Sequence, residues 1–136
     1  MSTNQADRDP RYNAQTLRRF RTTPGSTPLP SGMSCVTGRA GDREHGAEVL
    51  ILLAIADERV AAASFRAFGC PHLIAAASLA TEQLVGCSAA DLLVWDWHPV
   101  AVELEVPAAK SGRLLTLQDA VVDAARNWAG GPRSEV

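Results

Sequence analysis

At Gly69-Cys70-Pro71 the chain changes its repeat, and this junction limits the available folds more than any other stretch. Before it, Val60 to Phe68 alternates as a strand does: Phe65 and Ala67 share one face, Arg66 and Phe68 the other. After it, Leu73, Ala77, Thr81 and Leu84 recur at helical spacing from Pro71 to Val85, and Gly86 ends the run. Proline suits the first helical position, where its missing N–H costs nothing. That makes Cys70 the N-cap. A thiol there faces unpaired backbone N–H groups and the positive end of the helix dipole, which both favour thiolate.

Upstream, Glu48 to Ile55 is almost continuously apolar and has the length of a strand. Apolar residues on both its faces imply cover on both sides. Asp57-Glu58-Arg59 turns the chain, so Val60–Phe68 returns antiparallel in a hairpin. Met33 to Val36 is a short first strand, and Gly38 to Gly46 a polar, glycine-bearing loop. Tyr12 to Arg21 is a short helix, stopped at Pro24-Gly25. Ser88 and Asp91 open a further short helix through Val94, and Pro99 another to about Leu104. Leu114, Leu117, Val121, Ala124 and Trp128 stripe the last helix, with Gly130-Gly131-Pro132 as its stop. Strands first and helices after predict an α+β fold: a three-stranded, mostly antiparallel sheet with helices packed on one face. Residues 1–10 read as a disordered lead, 11–128 as a single domain and 129–136 as a flexible tail.

The chain has 136 residues and a net charge of −2, with no basic excess to suggest nucleic acid or an anionic membrane as partner. Arg18, Arg19 and Arg21 read as a solvated helix face. The polar N-terminus is no signal peptide, and no apolar run spans a membrane, so the expected setting is cytoplasmic. Three cysteines, Cys35, Cys70 and Cys87, form no disulfide framework. No Ser-His-Asp pattern, Gly-rich phosphate loop or carboxylate pair argues for an enzyme.

Phe65-Arg66-Ala67-Phe68-Gly69-Cys70 followed by Ser78-Leu79-Ala80-Thr81-Glu82 resembles the NifU/IscU-type scaffold proteins, on which iron–sulfur clusters are assembled. Those proteins carry Phe-(Lys/Arg)-x-Phe-Gly-Cys at a strand end and Ser-x-Ala-Thr-Glu on the next helix. The likeness runs from Tyr12-Asn13 and Leu17-Arg18-Arg19-Phe20 through Ser88–Asp91, Glu103-Leu104 and Val106–Lys110 to Gln118-Asp119-Ala120. It implies an iron–sulfur cluster or iron as cargo, with zinc possible in the isolated protein. It also implies a cysteine desulfurase and other assembly proteins as partners.

The family holds its cluster with three cysteines, and only Cys70 has a counterpart here. The first lies in a Cys-Gly-Asp loop, matched by Ala40-Gly41-Asp42 or, in a second alignment, by His45-Gly46-Ala47. The third falls on Gly112 and Arg113, neither of them a ligand. Cys87 stands at the other end of the Cys70 helix, about 25 Å away at ~1.5 Å per residue. It and Cys35 read as fillers. The candidate metal ligands are therefore Cys70 with Asp42, His45 or His72, a mixed set suited to iron or Zn²⁺. Against that stands the plainer expectation that His72 is an exposed helix-start residue and the loop is merely solvated. His98 reads as structural. Val106-Pro107-Ala108-Ala109-Lys110 lacks one proline and the valine of the family's Leu-Pro-Pro-Val-Lys, so the usual Hsp70-type chaperone contact is not implied.

Three functions follow. The first is a scaffold-like protein that binds iron, a cluster or persulfide sulfur through Cys70. The second is a metal-free interaction module of the assembly system. The third is a small mononuclear zinc or iron protein.

Overall fold

The computed structural model describes residues 11–134, with side chains to 128. The expected lead, residues 1–10, lies outside the described residues. Strand β2 (Ala47–Ala56) is the centre of an antiparallel sheet of order β1-β2-β3, flanked by β1 (Ser34–Asp42) and β3 (Arg59–Phe68). Val49, Ile51 and Leu53 turn one face inward and are wholly buried. Leu50 and Leu52, on the opposite face, are only half-buried, so the cover expected on both sides exists on one. The β2–β3 turn places Asp57 (φ 54°) and Glu58 (φ 60°) in the left-handed region, as a two-residue hairpin between twisted strands requires.

Strand β1 is the main departure from the sequence reading. It runs through Gly38-Arg39-Ala40-Gly41, which the sequence presents as loop, and pairs with β2 from Ser34↔Ile55 to Asp42↔Ala47. Its residues have poor strand propensity. The partner strand and the helix above it supply the order instead.

Helix α2 (Pro71–Leu84) and helix α5 (Ser111–Ser134) lie on the inner face. Leu73, Ala75, Ala76, Ala77, Ala80 and Leu84 of α2 join Leu114, Leu117, Val121 and Ala124 of α5 in one core, all fully buried. The backbone of α5 is helical to Ser134, past Gly130-Gly131-Pro132. Glycine lowers helix stability by about 1 kcal/mol without forcing an end. Two short helices, α3 (Ala89–Leu93) and α4 (His98–Leu104), connect α2 to α5, and α3 has the expected Ser88–Asp91 capping box. Among the described residues no helix is long and apolar enough to cross a membrane.

Helix α1 (Ala14–Thr22) is clasped to α2 by the Ser78-Thr81-Glu82 segment. Ser78 Oγ donates to the Pro24 carbonyl at 2.6 Å, and Thr81 stands against Gly25, whose φ of 94° suits glycine. Glu82 accepts two hydrogen bonds from the Arg19 guanidinium at 2.8 and 2.9 Å, and Ser78 Oγ accepts a third at 3.0 Å. Arg19 is therefore no part of a solvated face; its side chain is 12% exposed, while Arg18 and Arg21 are exposed as expected. Charge-assisted bonds of this kind stabilise more than an open surface pair. Arg19→Met is expected to lower unfolding free energy in urea by about 1–2 kcal/mol, discounted because Glu82 is half exposed. Arg18→Met should stay within about 0.5 kcal/mol of the parent chain.

Candidate functional site

Three segments meet at one end of the sheet. The β1–β2 pairing closes at Asp42↔Ala47 and the β2–β3 pairing at Glu48↔Phe68, so both connections leave the sheet on the same side. A Cβ at Gly69 would stand 3.4 Å from the Gly46 carbonyl oxygen and 2.7 Å from Leu73 Cδ2, which brings the β1–β2 turn onto the β3–α2 junction. A Cβ at Gly41 would stand 2.9 Å from Thr116 Cγ2, so the first turns of α5 complete the group.

Cys70 is the N-cap of α2, extended at φ −77° and ψ 166°, half-buried, with Pro71 behind it. Its side chain makes no capping hydrogen bond, so the sulfur is not engaged by the helix it starts. The other thiols stand far off. Cys35 is exposed on β1 opposite Ala54, seven residues from the Asp42 end, or about 23 Å along a strand. Cys87 follows α2, and its carbonyl accepts from Val60 N at the remote end of β3 at 2.9 Å. Burial, and next the Asp91 carboxylate, push the Cys87 thiol pKa up.

His72 is not the exposed helix-start residue of the plainer expectation. It is 2% exposed, with its ring 4.6 Å from that of Tyr12 and tilted by 55°. Neither ring nitrogen has a partner in hydrogen-bonding geometry. Burial lowers its pKa most, and the Lys110 charge adds to this; the nearby Arg11 carbonyl opposes, and Arg113 lowers it further. The folded ring thus stays neutral at a pH where the unfolded ring, near 6.5, takes a proton. This contribution to stability is full above pH 6.5 and is lost as pH falls through and below it. Melting should therefore weaken below pH 6.5 in the parent chain, and His72→Phe should flatten that limb. An unchanged limb in the variant would assign it to another group. Glu82 and Asp42 also have lowered pKa values, but they act below their ordinary 4.5 and 3.8, a separate window.

Asp42 and His45 are exposed and engage each other. Asp42 caps a single 3-10 turn, Arg43–His45, accepting from His45 N at 2.9 Å and from His45 Nδ1 at 2.8 Å. The Nδ1 bond is the chief reason the Asp42 pKa is lowered. The structure thus pairs Asp42 with His45 and does not gather them with Cys70 and His72. Among the described residues no group of three or more His, Cys, Asp or Glu side chains could hold a metal ion. The Tyr12 ring packs against His72, and the positive charges of Lys110 and Arg113 act on it. Sequence spacing gave no sign of Tyr12 or Lys110 there, since both come from elements distant along the chain. His98 is exposed, stacks on Trp97 at 3.8 Å and pairs with Asp96 at 2.6 Å.

A family model, the NifU-like N terminal domain, matches residues 12–133. Iron sulfur cluster assembly protein 1 of Trachipleistophora hominis is 32% identical over 85 residues, which are 62% of this chain and 62% of that protein's length. A putative iron–sulfur cluster assembly scaffold protein for the SUF system from Fervidobacterium islandicum AW-1 has a similar fold. Its TM-score is 0.63 at 13% identity, over 84% of this chain and 96% of that one. The N-terminal part of a nitrogen-fixing NifU-like protein from Brucella abortus gives 0.60 at 19% identity, over 84% and 91%. Those two likenesses establish the fold, and the family match spans nearly all the described residues. The chain belongs to the NifU-like N-terminal domain family.

Proposed function

We propose that this protein acts in iron–sulfur cluster assembly as a scaffold-like carrier, not as an enzyme, with Cys70 Sγ as its reacting atom. The observation that carries this reading is the position of Cys70: an uncapped thiol at the α2 start, where the β1–β2 turn and α5 also arrive. Among the described residues no three side chains form a ligand cage for a cluster. The step assigned to this chain is therefore sulfur acceptance. The Cys70 thiolate attacks the terminal sulfur of a cysteine desulfurase persulfide; a new S–S bond forms on Cys70, and the desulfurase thiolate leaves. Iron or a cluster held at Cys70 needs ligands from elsewhere, or Asp42 and His45 released from their mutual bond, or a turned His72 ring.

A metal-free interaction module is the second reading, favoured by Arg113. Its guanidinium occupies the region where the resemblance places a ligand thiol, and a fixed cation cannot bind metal. Anaerobic reconstitution with iron, sulfide and a cysteine desulfurase, followed by absorbance, metal analysis and mass of the chain, separates the readings. Sulfur or cluster in the parent chain and none in Cys70→Ala supports the first. Both chains unmodified yet binding the desulfurase supports the second. Zinc or iron retained without sulfide would instead support a mononuclear metal protein.

A further inference from the structure

Helices α3 and α4 and the loop between them present apolar side chains that the core does not use. Among the described large apolar residues, Val94 at 79% and Val102 at 77% are the most exposed, and Leu93 beside Val94 is exposed too. Valine is a poor choice for an open helix position, where lysine, glutamate or alanine hold the helix better. Val102 stands on α4 one turn after His98, so the two share a face. The His98 ring is stacked on that of Trp97, tilted by 21°. Trp97 and Trp95 are half-buried in the loop that leads back to Val94. The strip from Val102 through His98 and Trp97 to Val94 therefore spans no more than about 20 Å. Its surround has one sign of charge. No lysine or arginine stands between Arg66 and Lys110 in the chain. Asp91, Asp96, Glu103 and Glu105 are all exposed, Asp91 three residues before Val94 and Glu103 directly after Val102. Among the described residues, Asp91 alone of the four has an arginine or lysine within salt-bridge reach, Arg59 at 3.9 Å. An exposed apolar strip in an acidic surround suits a partner of opposite charge.

We propose that the α3–α4 surface docks a basic amphipathic helix of a partner protein. The apolar side of that helix covers Val94 and Val102, and its lysines or arginines meet Asp96, Glu103 and Glu105. Strand addition needs a free sheet edge, and α3, α4 and their loop contain no strand. A proline-rich segment needs open aromatic faces, but His98 covers Trp97, and the Trp95 N–H is held by Gln83 at 3.2 Å. A helix instead anchors through side chains one turn apart, which aliphatic patches receive. The surface does not include Cys70, so it is independent of sulfur acceptance by that thiol.

The test is an NMR titration of the isotope-labelled full chain with a synthetic peptide of leucine and lysine at helical spacing. A length of about 14 residues gives a helix of ~21 Å, matched to the strip. The expected result is saturable shifts concentrated in residues 91–105, with an affinity that falls as salt is raised. Val102→Asp should raise the dissociation constant about tenfold, and Glu103→Lys about threefold or more. Both side chains are exposed, so both variants should melt with the parent chain. The same peptide with glutamate in place of lysine should not bind the parent. Equal binding of a scrambled lysine–leucine peptide would overturn the proposal, as would shifts spread over the whole chain or variants that bind like the parent. Shifts of residues 91–105 that follow the concentration of the chain alone would give the surface to a second copy and also overturn it.

Discussion

Gly38→Val is expected to unfold the protein or to lower its stability by about 3 kcal/mol or more, with a fall in melting temperature of about 10 °C at the least. Gly38 lies mid-strand in β1, under α5, where a Cβ would collide with the Ala120 carbonyl oxygen and with the backbone of Ala124. The obstacle is helix backbone, which cannot swing aside as a side-chain end can. Arg39 N next to it donates to Asp123 Oδ2 at 2.9 Å, and Asn127 Nδ2 donates to the Thr37 carbonyl at 2.6 Å. Any outward shift of α5 would break these bonds too. Gly38→Ala should show the same effect in smaller measure. Gly112→Ala is the control: no atom stands within 4 Å of its Cβ position, so it should melt with the parent chain. A Gly38→Val protein with parental stability would show that α5 does not pack onto β1 as described.

Cys70→Ser should abolish transfer of labelled sulfur from a cysteine desulfurase, while Cys35→Ser and Cys87→Ser retain it. The first removes the nucleophile at the α2 start. The others remove thiols at the opposite end of the sheet, one on exposed β1 and one whose pKa is raised by burial. Serine keeps nearly the same shape and is a favoured N-cap, so Cys70→Ser should fold at least as well as the parent. Loss of transfer with unchanged melting separates a chemical role from a structural one. Retained transfer in Cys70→Ser would remove the basis for the proposed function.

The hairpin, the helix start at Cys70 and the capping box at Ser88 were legible because each rests on local rules: period two, proline at the first helical position, an acidic residue three after a serine. Strand β1 was not legible. Its glycines look like loop residues, but Gly38 is there because α5 needs the space and not because the chain must bend. The burial of His72, a candidate ligand whose plainer expectation is exposure, was hidden for a similar reason. The Tyr12 ring packed against it comes from a segment far from it in sequence. Arg19 likewise looked solvated until α2 supplied Glu82 and Ser78. The resemblance in sequence marked out the Ser78-Thr81-Glu82 segment, but only the structure shows what it does: it holds α1 and the following connector in place.

The placement of the three thiols also determines how this protein ages in air. Cys70 stands at one end of the sheet; Cys35 and Cys87 stand at the other, on opposite edges, with two strand spacings or about 10 Å between those edges. A disulfide needs its Cα atoms within about 7 Å. No two thiols can close a bond within one folded copy, so oxidative pairing runs only between molecules, and exposed Cys35 is the first to engage.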